Sequence, residues 1–305
     1  MKDRSIFRAI FWALIGLTFL FFTLGGWYFS GEIINDAFAP DPEAYVVPSD
    51  GYELEEVSYT SELGEFDALY LPAPTANWVI HVHGKGATPA EAEPLFAALQ
   101  DAGYQQLAIT YRNDDGAPVD ESGYYQYGAT EWQDVSAAVD YALENGATQI
   151  VLSGFSTGAA HIMAYQLNRS SAPVIGFLFD APNIDMGRTV DFARSQRDLP
   201  LLGLPVPAPL GAVAKFLTSL RIDVNWKSID YLEKADLLIR RPVLVHHGTA
   251  DQTVPVGVSR DLAKAVPDLV TFIEVPDAGH VESYDVDLDK YLDEVLGFLG
   301  QISAA

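Results

Sequence analysis

The chain has 305 residues, 49% of them hydrophobic, and its 42 acidic against 18 basic side chains leave a net charge of −24. That is apolar material enough for a large α/β domain and excludes global disorder, while a field of this sign repels phosphate backbones, so nucleic-acid binding is not expected. Cysteine is absent, which excludes disulfides, a thiol nucleophile and cysteine-ligated zinc but leaves the compartment open.

No charged residue occurs from Ala9 to Gly31. At 1.5 Å per residue, about 22 helical residues reach roughly 33 Å, enough to cross a bilayer core. Trp12, Trp27 and Tyr28 lie toward the ends, where amphipathic aromatics favour the interface. A cleaved signal peptide is the competing reading, but its apolar region would be shorter, and the small-x-small site Ala37-Phe38-Ala39 is followed by Pro40. Lys2, Arg4 and Arg8 precede the segment and Glu32, Asp36, Asp41 and Glu43 follow it, so the positive-inside rule predicts a cytoplasmic N-terminus and a domain on the other side of the membrane. The expected organisation is a cytoplasmic stretch over 1–8, a single-pass anchor over 9–31, an extended proline-containing linker over 32–50 and a domain over 51–305.

Tyr52 to Tyr59 and Phe66 to Leu71, separated by a turn around Gly64, predict an antiparallel hairpin. Thereafter apolar strands alternate with helical patterns. The strands are Trp78 to His83, Leu107 to Tyr111, Gln149 to Ser153, Val174 to Phe179, Val243 to His247 and Val270 to Val275. The helices are Pro89 to Ala102, Thr130 to Asn145, Thr157 to Asn168, Val258 to Val266 and Leu288 to Leu299. Strands apolar on both faces and separated by helices predict a doubly wound, mostly parallel sheet. The connection between Asp180 and Val243 is too long for an ordinary loop, so residues at about 183–238 are expected to form a helical cap. Its apolar, proline-rich run from Leu199 to Pro209 would line an acyl pocket as a lid, touch the membrane or simply pack on the domain.

Gly154-Phe155-Ser156-Thr157-Gly158 lies between a strand and a helix, the setting of a sharp turn that lifts a serine hydroxyl clear of a sheet. A serine becomes nucleophilic when a base takes its proton, and that base needs an orienting carboxylate. Asp251 and His280 each follow a later buried strand. The carboxyl ends of parallel strands share one edge, so Ser156, Asp251 and His280 should meet there, in the chain order expected of such a site. His83-Gly84-Lys85-Gly86 follows an earlier strand, and the backbone N–H groups of Lys85 and Thr157 are the candidate oxyanion donors, with Gly86 as a substitute for the first. Asp180, ending its own strand, is a rival acid. His81 and His83 are not expected to bind metal, His161 is expected to pack, and His246 and His247 to support the Asp251 loop. Tyr124, Tyr125 and Tyr127 either line the site or pack beside it.

From about Glu53 onward the chain resembles the α/β-hydrolases. The His-Gly turn, the serine elbow, the His247-Gly248-x-x-Asp251-x-x-Val254-Pro255 segment and the late Gly279-His280 are similar to the branch of monoacylglycerol lipases, serine aminopeptidases and prolyl-oligopeptidase-like enzymes. The resemblance implies Ser156 as nucleophile, Asp251 as acid, His280 as base and Lys85 with Thr157 at the oxyanion hole, with no cofactor and no metal. Lys85 and Thr157 depart from the residues usual there, and neither change prevents backbone donation. The expected activity is a membrane-anchored serine esterase acting on an acyl or other small-molecule substrate. Peptidase or thioesterase activity is the alternative on the same residues, and a non-catalytic hydrolase-like binding protein the alternative of another kind.

Overall fold

A computed structural model describes residues 2–40, 43–48, 52–170, 173–200 and 203–304. The chain divides into two compact units, Met1–Ala39 with Val190–Trp226, and Pro40–Thr189 with Lys227–Ala305. The first element is the long apolar helix α1 (Lys2–Ile33), prolonged by a wider helical turn at Ile34–Phe38. Over Ile6–Phe38 it is 33 residues long, with a mean hydropathy of 2.0 in its most apolar 18-residue stretch, long and apolar enough to cross a membrane.

The larger unit is built on one eight-stranded sheet in the order β1-β2-β4-β3-β5-β6-β7-β8. The hairpin β1 (Glu55–Ser61) and β2 (Gly64–Leu71) is antiparallel, and β2 also runs antiparallel to β4 (Gln105–Ile109). The remaining strands, β3 (Asn77–Val82), β5 (Gln149–Phe155), β6 (Val174–Asp180), β7 (Val243–Gly248) and β8 (Val270–Val275), pair parallel, as β3 also does with β4. The helices in chain order are α2 (Glu93–Asp101), α3 (Trp132–Glu144), α4 (Thr157–Asn168), α5 (Met186–Ser195), α6 (Ala208–Ile222), α7 (Ala235–Leu238), α8 (Gly257–Ala265), α9 (Ser283–Val286) and α10 (Leu288–Ser303). Parallel crossovers are right-handed, so α2, which leads back from β3 to β4, and α3 and α4, which lead forward to β5 and β6, fall on opposite faces. Accordingly α2 touches α10, and α3 touches α4. Both faces of the central strands are therefore covered, and β5 is buried along its length apart from half-buried Gln149.

The smaller unit brings the N-terminal helix and the middle of the expected cap into one body. Phe29 of α1 shares a core with Leu199, Val206, Leu210 and Ala214. The expected extended linker at 32–50 differs here, because its first seven residues are helical. The physical reason is their packing and charge. Phe38 is fully buried edge-on to Trp226 at 5.6 Å, and Arg197 pairs with Asp36 at 2.5 Å and Glu32 at 3.6 Å.

Within the larger unit one buried charge pair ties the hairpin to the helical layer. Arg112 is 2% exposed and Asp134 fully buried. The Arg112 Nε and Nη2 groups donate to the two Asp134 oxygens at 2.7 and 2.9 Å, and the Ser61 hydroxyl donates to Oδ1 at 2.7 Å. Removing Asp134 leaves the buried guanidinium with the half-exposed Glu62 carboxylate, 3.2 Å from Nη1, as its remaining ion pair. Asp134→Ala should therefore lower the unfolding free energy of the detergent-solubilised chain by about 3–5 kcal/mol. Chemical denaturation measures this, and an unchanged midpoint would contradict it.

Candidate active site

The turn after β5 is the strained point of the site. Ser156 has φ 47° and ψ −112°, a conformation that costs energy for a residue with a Cβ and that persists only where its surroundings impose it. They do so from both sides of the peptide: the Ser156 N–H donates to the Asp180 carbonyl at 2.9 Å, and its carbonyl accepts from the Asn183 N–H at 2.9 Å. Gly158 is required immediately after, since a Cβ there would stand 2.0 Å from the Val82 carbonyl oxygen.

The loops after β7 and β8 are joined to each other by backbone and side-chain hydrogen bonds. Thr249 N–H donates to the Val275 carbonyl at 2.9 Å, Ala250 N–H to the Ala278 carbonyl at 3.0 Å, and Asp277 N–H to the Thr249 hydroxyl at 3.0 Å. Asp251 and His280 consequently meet, with Asp251 Oδ2 2.7 Å from His280 Nδ1. His280 Nε2 lies 2.9 Å from Ser156 Oγ. Serine, imidazole and carboxylate thus form one hydrogen-bonded series at the carboxyl edge of the sheet. Because a carboxylate only accepts, Nδ1 carries the proton, and Nε2 of neutral His280 is then the acceptor facing the serine hydroxyl.

The carboxylate is held by more than its histidine partner. Asp251 Oδ1 accepts the Thr253 and Val254 N–H groups at 2.7 and 2.9 Å, and Oδ2 also faces His247 Nε2 at 3.1 Å. Burial pushes the Asp251 carboxyl up, but hydrogen bonds from His247, His280 and Val254 outweigh it and hold the group well below the usual carboxylate range. His247 is itself buried, with Nε2 also 3.1 Å from the Val254 carbonyl and Nδ1 2.7 Å from the Ser259 hydroxyl. Two acceptors around Nε2 require the proton there, and the Ser259 hydroxyl holds the ring from its other nitrogen.

The Gly84 turn abuts the serine: a Cβ on Gly84 would be 3.1 Å from the Ser156 Cβ. Its backbone is fixed on both sides. The Gly84 N–H donates to Glu91 Oε2 at 2.7 Å, and the Gly84 carbonyl accepts from Tyr111 Oη at 3.0 Å and His83 Nδ1 at 2.8 Å. Since C=O and N–H of one planar trans peptide point in opposite directions, the Lys85 N–H is turned away from Tyr111 and His83. Below it, His83 Nε2 lies 3.0 Å from Asp114. Burial would lower the His83 pKa, but the Asp114 carboxylate raises it beyond that effect, and both ring nitrogens face acceptors, the pattern of an imidazolium. Thr157, buried beside Ser156, opens α4, whose first N–H groups have no intrahelical acceptor.

The other candidates fall outside this series. Asp180 is buried at the end of β6 and accepts from the Ser283 hydroxyl at 2.8 Å, while the carboxylate bonded to His280 is that of Asp251. Burial pushes the Asp180 carboxyl up to about 7. His81 bonds Gln106 at 3.1 Å, and burial lowers its pKa to about 4. His161 packs edge-on to Tyr111 at 4.6 Å, and burial, then the charges of His83 and Arg112, lower its pKa to about 3. His246 pairs with Glu294 at 2.9 Å. Tyr125 donates to Asp114 at 3.1 Å and lies 5.7 Å below Lys85 Nζ. Among the described residues no group of three or more His, Asp or Glu side chains is arranged to hold a metal ion. Glu91, Tyr111, Asp114 and Ser259 carry no motif of their own, and only their long-range contacts reveal them.

No family model matches the chain. It is 20% identical over 277 residues to the uncharacterized protein YfhR of Escherichia coli O157:H7, covering 87% of each chain. Among solved structures it is similar to the Pyrococcus furiosus esterase Pf2001, with a TM-score of 0.65 and 20% identity over 86% of this chain and 99% of that one. It is also similar to the Pyrococcus horikoshii acylaminoacyl peptidase, with a TM-score of 0.60 and 15% identity over 80% of this chain and 40% of that one. Together with the strand order and the turn at Ser156, these likenesses in architecture show that the chain has the α/β-hydrolase fold.

Proposed function

We propose that the chain is a serine hydrolase that cleaves carboxylic esters through an acyl-enzyme on Ser156, anchored in a membrane by α1 with its N-terminus cytoplasmic and its larger unit on the opposite side. The observation that carries this reading is the continuous hydrogen-bonded series from Ser156 through His280 to Asp251. In the proposed reaction Ser156 Oγ attacks the ester carbonyl carbon as its proton passes to His280 Nε2, and Asp251 stabilises the resulting imidazolium. The carbonyl oxygen becomes an oxyanion, accepted by the Lys85 and Thr157 N–H groups. Collapse breaks the bond to the alkoxide, which takes the proton from His280 and leaves as an alcohol. Water then attacks the acyl-enzyme, giving its proton to His280, and the return of that proton to Ser156 Oγ releases the carboxylic acid.

An ester is favoured over an amide because its alkoxide leaves more readily than an amine, and because the sequence offers no recognisable pocket for a charged side chain or a free amino terminus. The esterase similar in fold over nearly its whole length agrees with this choice. The peptidase similar in fold makes amide hydrolysis the reading to test against it. For the anchor, the support is the length and mean hydropathy of the helix over Ile6–Phe38, together with exposed Phe11, Trp12, Leu17, Phe19 and Leu24 along α1. The basic residues before that stretch and the acidic ones after it support the orientation.

In isolated membranes a fluorophosphonate probe should label the full-length chain and not its Ser156→Ala variant; a wild-type chain that stays unlabelled would overturn the hydrolase reading. With p-nitrophenyl esters of graded chain length and aminoacyl anilides offered in parallel, turnover should favour the esters. Faster anilide cleavage would replace esterase with peptidase. Asp251→Asn should reduce kcat about 10⁴-fold, because the amide can turn its NH2 donor to His280 and hold the ring in the wrong tautomer. Steady-state kinetics on the best ester measures that loss, and a kcat within a few fold of wild type would exclude Asp251 as the acid.

A further inference from the structure

The smaller unit carries a second apolar surface beside α1. On α6, Leu210, Gly211, Ala214 and Thr218 are buried, whereas Pro209, Ala212, Phe216 and Leu220 are exposed. At 3.6 residues per turn those four exposed residues form one stripe along the opposite face. Phe216 is 62% and Leu220 68% exposed, so the two largest side chains of the stripe are open on its outer side.

Four pairs of residues fix where this stripe lies along α1. A Cβ on Gly25 would stand 3.2 Å from Leu210 Cδ1, and one on Gly26 would stand 2.5 Å from Val213 Cγ1. Further along, Thr218 donates to the Ser30 hydroxyl at 3.0 Å. Arg221 ends the helix, stacked 4.4 Å over the Trp27 ring and bonded to the Trp27 carbonyl at 3.3 Å. α6 is therefore packed alongside the carboxyl-terminal third of α1, at the level of Trp27 and Tyr28, which are 57% and 49% exposed. Aromatic rings and a cationic side chain with an apolar stem suit the boundary between acyl chains and headgroups.

The distribution of charge points to the same environment. Beyond residues 1–8, which the proposed orientation places on the other side of the membrane, the smaller unit contains four basic and five acidic residues, and the rest of the chain eleven basic and 36 acidic, so nearly all the excess of negative charge lies outside the unit that carries the stripe. A surface close to neutral can approach phospholipid headgroups where a strongly acidic one would be repelled.

From this juxtaposition we propose that α6 is a membrane-contacting helix, set into the lipid interface beside α1 with Pro209, Ala212, Phe216 and Leu220 facing the acyl chains. The proposal rests on α1 as a membrane anchor. It adds that the segment inserted between β6 and β7 is itself held in the bilayer surface, so that α1 and α6 enter lipid as a pair.

The natural chain has no cysteine, so a single introduced thiol can be labelled uniquely. The full-length variants Phe216→Cys, Leu220→Cys, Leu14→Cys and Glu144→Cys are each coupled to an environment-sensitive fluorophore and reconstituted into phosphatidylcholine vesicles. Thermal unfolding checks that each is folded. The labels at positions 216 and 220 should emit to the blue and lose about half their intensity with nitroxide lipids spin-labelled near the headgroup, as expected for an interfacial helix. The label at position 14 should be quenched by nitroxides deep in the acyl chains, and the exposed position 144 by neither. Aqueous, unquenched emission at 216 and 220 beside a quenched position 14 would overturn α6 docking and leave the anchor standing. Blue-shifted but unquenched emission, with spin coupling between copies labelled at 216, would show that a second copy covers the stripe and would also overturn it. An unquenched position 14 would refute the anchor, and the docking with it.

Discussion

The backbone of Ser156 is the constraint on which the site depends. Its φ of 47° would relax if the chain around it were free, but both hydrogen-bonding groups of the residue are engaged with β6 and the segment that follows it. The strain is thus carried by a parallel sheet whose strands are packed on both faces, and the hydroxyl is lifted from the sheet edge without help from its own side chain. Gly158 makes this possible by letting α4 pass against the Val82 carbonyl, and β3 in turn delivers the Gly84 turn to the same point. The proposed nucleophile and the proposed oxyanion donor are coupled through the close packing of one helix on one strand.

A second constraint is electrostatic. A carboxylate buried as deeply as Asp251 would take up a proton unless several donors satisfied it. Backbone N–H groups of its own loop and two histidines do so, which keeps it an acceptor for His280. Asp180 and Glu131 show the contrasting outcome. Each is buried without a neighbouring cation bonded to its carboxylate, and burial raises each to about 7. A carboxyl in that state makes a poor partner for an imidazolium, and this separates Asp251 from Asp180 more sharply than their shared position at strand ends.

Ser156, Asp251, His280 and the Gly84 turn are legible in the sequence because each follows an apolar run that can only be a buried strand, and a parallel sheet sends all such ends to one edge. The hairpin and the alternation of strand and helix are legible for the same reason: their periodicities are local. His247 is half legible, since its place before Asp251 marks it as support, while its partnership with Ser259 depends on how α8 packs. Glu91 and Asp114 are illegible because their contacts join segments far apart in the chain, and nothing in their local sequence distinguishes them from surface residues, while Tyr111 is legible as the end of a strand but not as a partner of the Gly84 carbonyl. The helical continuation through Phe38 is hidden likewise. Its proline-rich, acidic surroundings read as linker, and it is accounted for by Trp226 and by Arg197, the latter 161 residues beyond its partner Asp36.

The same distant partners change what the N-terminal helix is. A bare anchor would join its domain through a flexible tether, and its apolar residues would have one task. Here Gly25 and Gly26 leave room for Leu210 and Val213, and Ser30, Glu32 and Asp36 each meet a polar group from the segment between β6 and β7. Small residues that permit close approach, followed by a polar and charged end, are what a helix needs to bind another helix where lipid gives way to water. These contacts lie at the carboxyl-terminal end of α1, where polar bonds and apolar packing act together. The insertion is therefore bound to α1 by close apolar packing and by polar and charged bonds of its own, whatever the surroundings of the helix further toward its N-terminus.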